Sequence, residues 1–191
     1  MMKAAVRVSL LAAFLYAGTS IALAQERIHA VSGTVTAINP KIEMTEIETD
    51  DGSSGHFKWI KKPGASIDFD KNVNADAVPA EKFATKGAHV ILYYYGEGQV
   101  RTVVALHDLG DGSIQKSSGT VIKLDRHEHV LTIKNSTGSE VTYHLSPKTV
   151  GDTATGVMEG YKFDFDKGNQ VRVLAAQTNG EQAALLIVPV I

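Results

Sequence analysis

The tetrapeptide Ser32-Gly33-Thr34-Val35 occurs again as Ser118-Gly119-Thr120-Val121, and this repetition decides how the rest of the chain is interpreted. Further positions match in the same order along the two halves: Ile47 with Ile133, Gly52 with Gly138, Phe57 with Tyr143, and Lys86-Gly87 with Lys167-Gly168. An internal repeat of this kind indicates that one structural unit is built more than once. The sequence therefore predicts two copies of one small domain.

Each copy has the pattern of five β-strands. Short runs with alternating apolar and polar residues are separated by turn signals such as Asp50-Asp51-Gly52-Ser53. We predict strands in the first copy over 30–38, 45–49, 56–60, 88–95 and 100–107, and in the second copy over 120–124, 130–135, 140–145, 170–175 and 183–188. A short helix is predicted around Ala80–Ala84, because Pro79 suits the start of a helix.

The order of these elements predicts the fold class. Three strands, a long connection and two further strands form the order of the OB-fold, a five-stranded, partly open Greek-key barrel. Gly33 within strand one suits a bulge or sharp bend in so small a barrel. We therefore predict an all-β protein of two tandem five-stranded OB-like Greek-key barrels, with a short helix or long loop between strands 3 and 4. Another small β-barrel or sandwich stays open as the alternative.

The N-terminal segment has the composition of an export signal. Lys3 and Arg7 flank the start of an apolar stretch, Leu10–Tyr16, and Ala22-Leu23-Ala24 is a small-residue cleavage pattern. We predict a signal peptide over 1–24, a first barrel over 25–109, a linker over 110–115 and a second barrel over 116–191. A periplasmic or extracellular location follows, with no transmembrane segment after signal cleavage. A retained anchor is the alternative, although the apolar stretch is shorter than the ~20 residues that span a bilayer.

Charge and cysteine content bear on the class of partner. The formal net charge of the whole chain is −2, and loss of Lys3 and Arg7 with the signal peptide leaves −4. A mildly acidic protein lacks the basic surface that nucleic acids require, so we expect no nucleic-acid partner. The chain has no cysteine, so an exported form must be stabilised by core burial or a bound ion rather than by disulfides.

The two copies resemble the small OB-like repeats of exported bacterial proteins, many of which have no known function. The resemblance rests on the Ser-Gly-Thr-Val strand, the turn glycine, the Lys-Gly pair and the valine-rich strand that follows, and it covers nearly all of the chain after the signal segment. It implies a fold and no catalytic residues. The first copy departs from this pattern by a longer insertion, Lys61–Thr85, where we expect a feature specific to this protein.

The fourth strand of the first copy carries an apolar row on the face that points away from the barrel. Alternation along the strand places Ile91, Tyr93 and Tyr95 on this outer face. Exposed apolar rows usually mark a contact. One interpretation is that the row packs the two barrels together. The other is a binding platform, because tyrosine stacks well on flat ligands, and its partner would be an envelope protein, a glycan or a small ligand.

Two clusters have the composition of metal ligands. Asp68, Asp70 and Asn72 place side-chain oxygens at every second position, which can converge on a hard cation such as calcium. His127 and His129 share a face in extended geometry and can bind zinc, copper or nickel. The ordinary alternatives are a solvated loop and surface histidines. A divalent metal is the one cofactor that the sequence suggests.

The chain has no recognisable catalytic motif. It contains no nucleophile elbow, no phosphate-binding glycine loop and no zinc-protease helix. We therefore expect no enzyme, and we predict an exported, non-catalytic binding or interaction module. A metal-binding envelope protein is the alternative. Because the features that both copies share are those of a scaffold, function should lie where the copies differ.

Overall fold

The computed structural model of the protein describes residues 27–59, 76–98, 101–110, 112–163, 165–178 and 180–190. The predicted signal peptide lies outside these residues. The described strands are β1 (His29–Asn39), β2 (Met44–Thr49), β3 (Ser54–Trp59), β4 (Val78–Pro79), β5 (His89–Tyr95), β6 (Arg101–Asp108), β7 (Ile114–Asp125), β8 (Val130–Asn135), β9 (Glu140–His144), β10 (Val150–Thr153), β11 (Gly156–Glu159), β12 (Gln170–Thr178) and β13 (Glu181–Pro189). One 3₁₀ turn, Ala80–Lys82, follows β4.

The first copy is a closed barrel. Its strands are antiparallel neighbours in the order β3-β2-β1-β5-β6. Strand β6 closes the ring by pairing in parallel with β3, where Phe57 lies opposite Arg101. The short β4 extends the sheet at Val78 and Pro79, which pair with β6. Three strands in order, followed by a fourth beside the first and a fifth beside the third, make the OB-fold topology.

The second copy repeats this ring with the order β9-β8-β7-β12-β13, closed by the parallel pair of Ala183 with His144. The prediction of an all-β protein with two tandem OB-like barrels is therefore confirmed. The connections between the third and fourth strands differ between copies. The described part of the first connection holds the 3₁₀ turn at Ala80–Lys82, and the second holds the hairpin of β10 and β11.

Gly33 lies where strand β1 is shared between the two halves of the first barrel. It pairs with Thr49 of β2 on one side and with Val90 of β5 on the other. A Cβ atom at this position would lie 2.4 Å from the carbonyl oxygen of Glu48. Strand β1 can bend from one partner to the other only because the β2 backbone approaches it this closely, and only glycine permits that approach.

The same constraint is met in the second barrel. A Cβ atom on Gly119 would lie 2.4 Å from the carbonyl oxygen of Lys134. The irregularity expected at the strand-one glycine lies a little further along, because the β1–β2 register shifts between Val35 and Ala37. The second barrel has the matching shift after its own glycine. In both copies the strand-one glycine thus allows close packing against the backbone of the second strand. The bulge lies a few residues after the glycine.

Each barrel encloses its own apolar core. The inward side chains of the first are Val35, Ile47, Phe57, Val90, Leu92, Val103 and Leu106, with Ala80 and Phe83 from the connection. Those of the second are Val121, Leu131, Ile133, Tyr143, Leu145, Val171, Val173, Ala175, Ala184 and Ile187, with Phe163 and Phe165 from the connection. The faces expected from alternation are those that the strands present to the cores.

A third apolar cluster lies between the barrels. Tyr93 is at its centre and is fully buried. The cluster combines side chains from both copies: Ile28, Ala30, Ile91 and Tyr93 from the first, and Val150, Leu174 and Leu186 from the second. Burial of an aromatic side chain of this size contributes on the order of 2–3 kcal/mol. The two barrels are therefore held together by a continuous apolar interface.

The hairpin of β10 and β11 is part of this interface and was expected only as a connection. The backbone N–H of Val157 donates a hydrogen bond to the carbonyl oxygen of Ile28 at 2.8 Å. The Arg27 guanidinium donates to the carbonyl oxygen of Ala154 at 2.9 Å. The hairpin therefore holds the start of β1 from the side of the second barrel.

The described linker is shorter than expected. Strand β6 ends at Asp108 and β7 begins at Ile114, so the last residues of the predicted linker, 110–115, belong to β7.

In the described part of the chain, no helix has the length and apolar character needed to cross a bilayer.

Replacement of Gly33 by alanine should destabilise the first barrel, because the added Cβ must displace the β2 backbone. We expect the free energy of unfolding to fall by about 1–3 kcal/mol, measured by urea denaturation. Gly112→Ala is the matched control, since its Cβ would meet only the Leu109 carbonyl oxygen, at 4.0 Å. Equal stabilities for the two variants would contradict the close-approach explanation.

Replacement of Tyr93 by alanine should open a cavity between the barrels. We expect a loss of about 3–5 kcal/mol in the free energy of unfolding, as for other large core aromatics. Tyr95→Ala, at the half-buried end of the same row, should cost clearly less. If both variants unfold at the same urea concentration, the interface does not contribute as the burial of Tyr93 implies.

Candidate functional site

A cleft of about 410 Å³ lies between the two barrels. Its first wall is the start of β1, the β2–β3 turn and the facing ends of β5 and β6. Its second wall is the outer face of β7, β12 and β13, with β10 at one side. The polar side chains that line it are Ser32, Thr49, Asp50, Asp51, Ser53, Tyr94, Arg101, Lys116, Ser117, Ser118, Asp152 and Arg172. The volume is within the range of small-molecule sites.

Asp50 joins the two walls. Its carboxylate lies 2.7 Å from the Lys116 ammonium of the second barrel, and both of its oxygens lie 3.1 Å from Nε2 of His89. Burial acts to raise the pKa of Asp50, but hydrogen bonds from Lys116, Ser32 and His89 outweigh it and hold that pKa below its ordinary value. The carboxylate is therefore charged at neutral pH and fixes Lys116 in place.

Asp51 makes a second connection across the cleft. It accepts hydrogen bonds from the Thr49 hydroxyl and from both the hydroxyl and the N–H of Ser53. The Arg172 guanidinium of the second barrel lies 3.2 Å from its other oxygen. These hydrogen bonds, first from Thr49 and Ser53, strongly lower the pKa of Asp51. Four donors on one carboxylate make the β2–β3 turn a rigid edge of the cleft.

Asp152 brings a third carboxylate from the β10–β11 hairpin. It lies 2.8 Å from Nδ1 of His29 in the first barrel. Burial raises the pKa of Asp152, and the contact with His29 acts in the opposite direction without cancelling it. This pair, like the two before it, links one barrel with the other. The relative position of the walls is thus set by polar contacts as well as by the apolar interface.

Arg101 occupies the end of the cleft nearest the interior of the first barrel. Its guanidinium carbon lies 4.5 Å from the centre of the Phe57 ring and 5.5 Å from that of Tyr94. Burial and the charge of Asp152 raise the pKa of Tyr94, while the neighbouring Arg101 acts against that rise. The arginine is held by two aromatic faces, an arrangement that orients its planar head.

The polar groups of the cleft are held by contacts within the protein. His29 and His89 each contact an aspartate, Asp152 and Asp50. What the cleft offers is a set of charges and hydroxyl groups that are fixed before any ligand arrives, which lowers the cost of binding.

The predicted binding row occupies the interface instead of an open surface. Ile91 and Tyr93 are almost completely buried between the barrels. Tyr95 is half-buried and packs against the same cluster. The structure therefore agrees with the packing interpretation of this row, and it leaves Ile91 and Tyr93 without a surface for an external ligand.

The predicted histidine ligands lie in an exposed turn. His129 has a φ of 53° and stacks on Tyr161, with 5.0 Å between the ring centres. Asp125 accepts backbone N–H bonds from Glu128 and His127, which build the turn. The bond from Glu128, the contact with Lys123 and the bond from His127 together lower the pKa of Asp125 to about 2. Across the described ranges, no three His, Asp or Glu side chains lie close enough to hold a metal ion.

The predicted oxygen ligands Asp68, Asp70 and Asn72 lie outside the described residues, together with most of the Lys61–Thr85 insertion. The end of the insertion is described. There Asp76 forms an ion pair with Lys148 of the second barrel, and Lys148 lowers the pKa of Asp76. The insertion thus ends in one more contact between the copies.

No function was predicted from the sequence for Asp50, Asp51, Lys116 or Arg172, nor for Arg101. A signal was present in the repeat. Asp50-Asp51 occupies the place of Ser136-Thr137 in the second copy, and Lys116 and Arg172 stand where the first copy has Ala30 and Ile91. At each of these positions one copy has a charged residue and the other has an uncharged one. Such charges lie on surfaces that the barrel fold itself does not require.

Comparison with known proteins adds no family to this description. No protein-family model matches the chain, and no curated protein is significantly similar to it.

The Asp50 contacts predict an acid-dependent loss of stability. Because its folded pKa lies below the ordinary value of about 3.9, the folded state binds fewer protons than the unfolded state, and the stabilisation is present above about pH 4. It is lost as the pH falls through the folded pKa. Asp50→Asn should cost about 1 kcal/mol at pH 6 and much less at pH 3, measured by urea denaturation.

Glu97→Gln, in the exposed turn after β5, is the control, because it removes a carboxylate outside the cleft lining and should have only a small effect on stability. A cost of Asp50→Asn that stays constant between pH 6 and pH 3 would show that the charge of Asp50, and so its ion pair with Lys116, does not stabilise the fold.

Proposed function

We propose that this protein is an exported, non-catalytic binding module that holds a small, hydroxyl-rich ligand, of the size of a sugar, in the cleft between its two barrels. The observation that carries the proposal is that both barrels line one cleft through side chains that the two copies do not share. Among these side chains are Asp50, Asp51, Lys116 and Arg172.

The polar lining supports a ligand with several hydroxyl groups. Two charged pairs, Asp50 with Lys116 and Asp51 with Arg172, and several serine or threonine hydroxyls provide both donors and acceptors. Val31, Leu174, Leu186 and Val188 add apolar surface to the same cleft, which suits the C–H faces of a sugar ring. A few fixed polar groups on a partly apolar wall are the usual composition of small-molecule sites.

The chemistry of the face that OB-folds usually use for binding also favours the cleft as the ligand site. In the first barrel the outward side chains of β2 and β3 include Glu46, Glu48, His56 and Lys58. This face has no aromatic row on which bases could stack, and it carries as many acidic as basic groups. Binding of single-stranded nucleic acid uses aromatic platforms in a basic groove. We therefore place the ligand in the cleft and propose no nucleic-acid partner.

Export to the periplasm or the outside of the cell is the setting that we propose for this function. It rests on the residue pattern of 1–24. A module with a fixed, polar cleft suits the capture of a glycan fragment or another small envelope ligand.

The proposal is tested by filling the cleft. Ser118 is an exposed residue of β7 that lines it, so Ser118→Trp should occupy the space without disturbing either core. We expect that a panel of monosaccharides and disaccharides, screened by thermal shift, contains a compound that raises the melting temperature of the wild type. The same compound should have no effect on Ser118→Trp.

Thr142→Trp is the matched control, because Thr142 is exposed on β9 and lies outside the cleft lining. It should respond to the compound as the wild type does. Binding that survives Ser118→Trp would place the site elsewhere, and a panel without any stabilising compound would contradict the proposed ligand class.

A further inference from the structure

Arg101 differs from the other cations of the cleft in its partners. Lys116 and Arg172 are paired with Asp50 and Asp51. Arg101 has no carboxylate within ion-pair distance among the residues that the structure describes, although it lines the same cleft. It lies over the rings of Phe57 and Tyr94 and also has a side-chain hydrogen bond with Tyr94.

One nitrogen of Arg101 also lacks a hydrogen-bond acceptor. The Nε atom is buried and has no partner in the described structure. A buried donor without an acceptor is unfavourable, so this side of the guanidinium is not stabilised by a hydrogen bond within the described structure. The guanidinium is held in place by Phe57 and Tyr94, and its positive charge has no carboxylate partner among the described residues.

We propose that the ligand of the cleft carries a carboxylate group and that Arg101 binds it, an inference that rests on the proposed function of the cleft. A guanidinium offers two parallel N–H donors in a planar fork, which matches the two oxygens of a carboxylate. From the cleft, the carboxylate accepts from the two terminal guanidinium nitrogens and supplies the missing counter-charge.

The charges around Arg101 favour a single negative charge. Asp50, Asp51 and Asp152 line the same cleft. A phosphate dianion would meet these three carboxylates with only one unpaired cation in the described lining, so its repulsion would exceed that of a monoanion. A carboxylate is also smaller and leaves room for the hydroxyl-bearing part of the ligand beside Ser117 and Ser118. The chemistry therefore points to a sugar acid.

The second barrel provides an internal comparison. Gln182 occupies the position of Arg101, since it precedes Ala183 in the parallel pairing with β9 and so lies beside Tyr143, the counterpart of Phe57. An OB-like barrel of this sequence thus accommodates glutamine at this place. Arg101→Gln removes the charge and the fork while keeping a side chain that the repeat tolerates.

The test is isothermal titration calorimetry with defined probes: glucuronate and galacturonate, their neutral counterparts glucose and galactose, and inorganic phosphate. We expect one of the uronates to bind the wild type more tightly than its neutral counterpart. Arg101→Gln should weaken that binding about 10- to 100-fold, the effect of losing a hydrogen bond to a charged group. Arg101→Lys should retain part of the affinity, because it keeps the charge and loses the fork.

The outcomes separate the two proposals. Uronate binding that Arg101→Gln leaves unchanged, preferential binding of the neutral sugar, or tighter binding of phosphate would overturn the carboxylate assignment while the cleft remains a ligand site. If no sugar of either kind binds, the proposed function fails together with this inference. Thermal melting followed by circular dichroism shows whether each variant is folded, and Arg101→Lys keeps the test available if Arg101→Gln does not fold.

Discussion

The burial of Tyr93 between the barrels is the interaction on which the rest of the structure depends. A tyrosine on the outer face of one small barrel is stable there only if another surface covers it, and Leu174 and Leu186 of the second barrel provide that surface. This contact sets the spacing of the two barrels. The ion pairs of Asp50 and Asp51 can then form across the remaining gap, and the gap becomes a cleft with fixed walls.

Much of the fold could be predicted because each strand assigned in one copy could be compared with its counterpart in the other copy. Alternation identified the inward faces, and Gly33 and Gly119 identified strand one of each barrel. The role of these glycines was less accessible: a close approach between strands depends on a partner backbone that is distant in sequence. The β10–β11 hairpin was missed for a related reason, because its strands are short and are stabilised by contacts with the start of β1.

The site could not be predicted from the sequence because its residues come from segments that are far apart in the chain. Asp51 and Arg172 come from different copies, far apart in sequence, and each alone has the composition of an ordinary surface. The two side chains form an ion pair only because the two barrels pack against each other. The comparison of the copies nevertheless had predictive value, since the charged side chains Asp50, Asp51, Lys116 and Arg172, which line the cleft from the two walls, have no charged counterpart in the other copy. In a duplicated protein, unmatched charges are therefore a guide to surfaces with a role beyond the fold.

The central claim is that a ligand binds between the barrels and contacts both. The most direct measurement is the change in amide chemical shifts of ¹⁵N-labelled protein on titration with a bound sugar acid. Our account predicts shifts at Thr49–Ser53 of the first barrel and at Lys116–Ser118 and Arg172 of the second, with little change on the outer face of β2 and β3. Shifts confined to one barrel, or centred on that outer face, would contradict it.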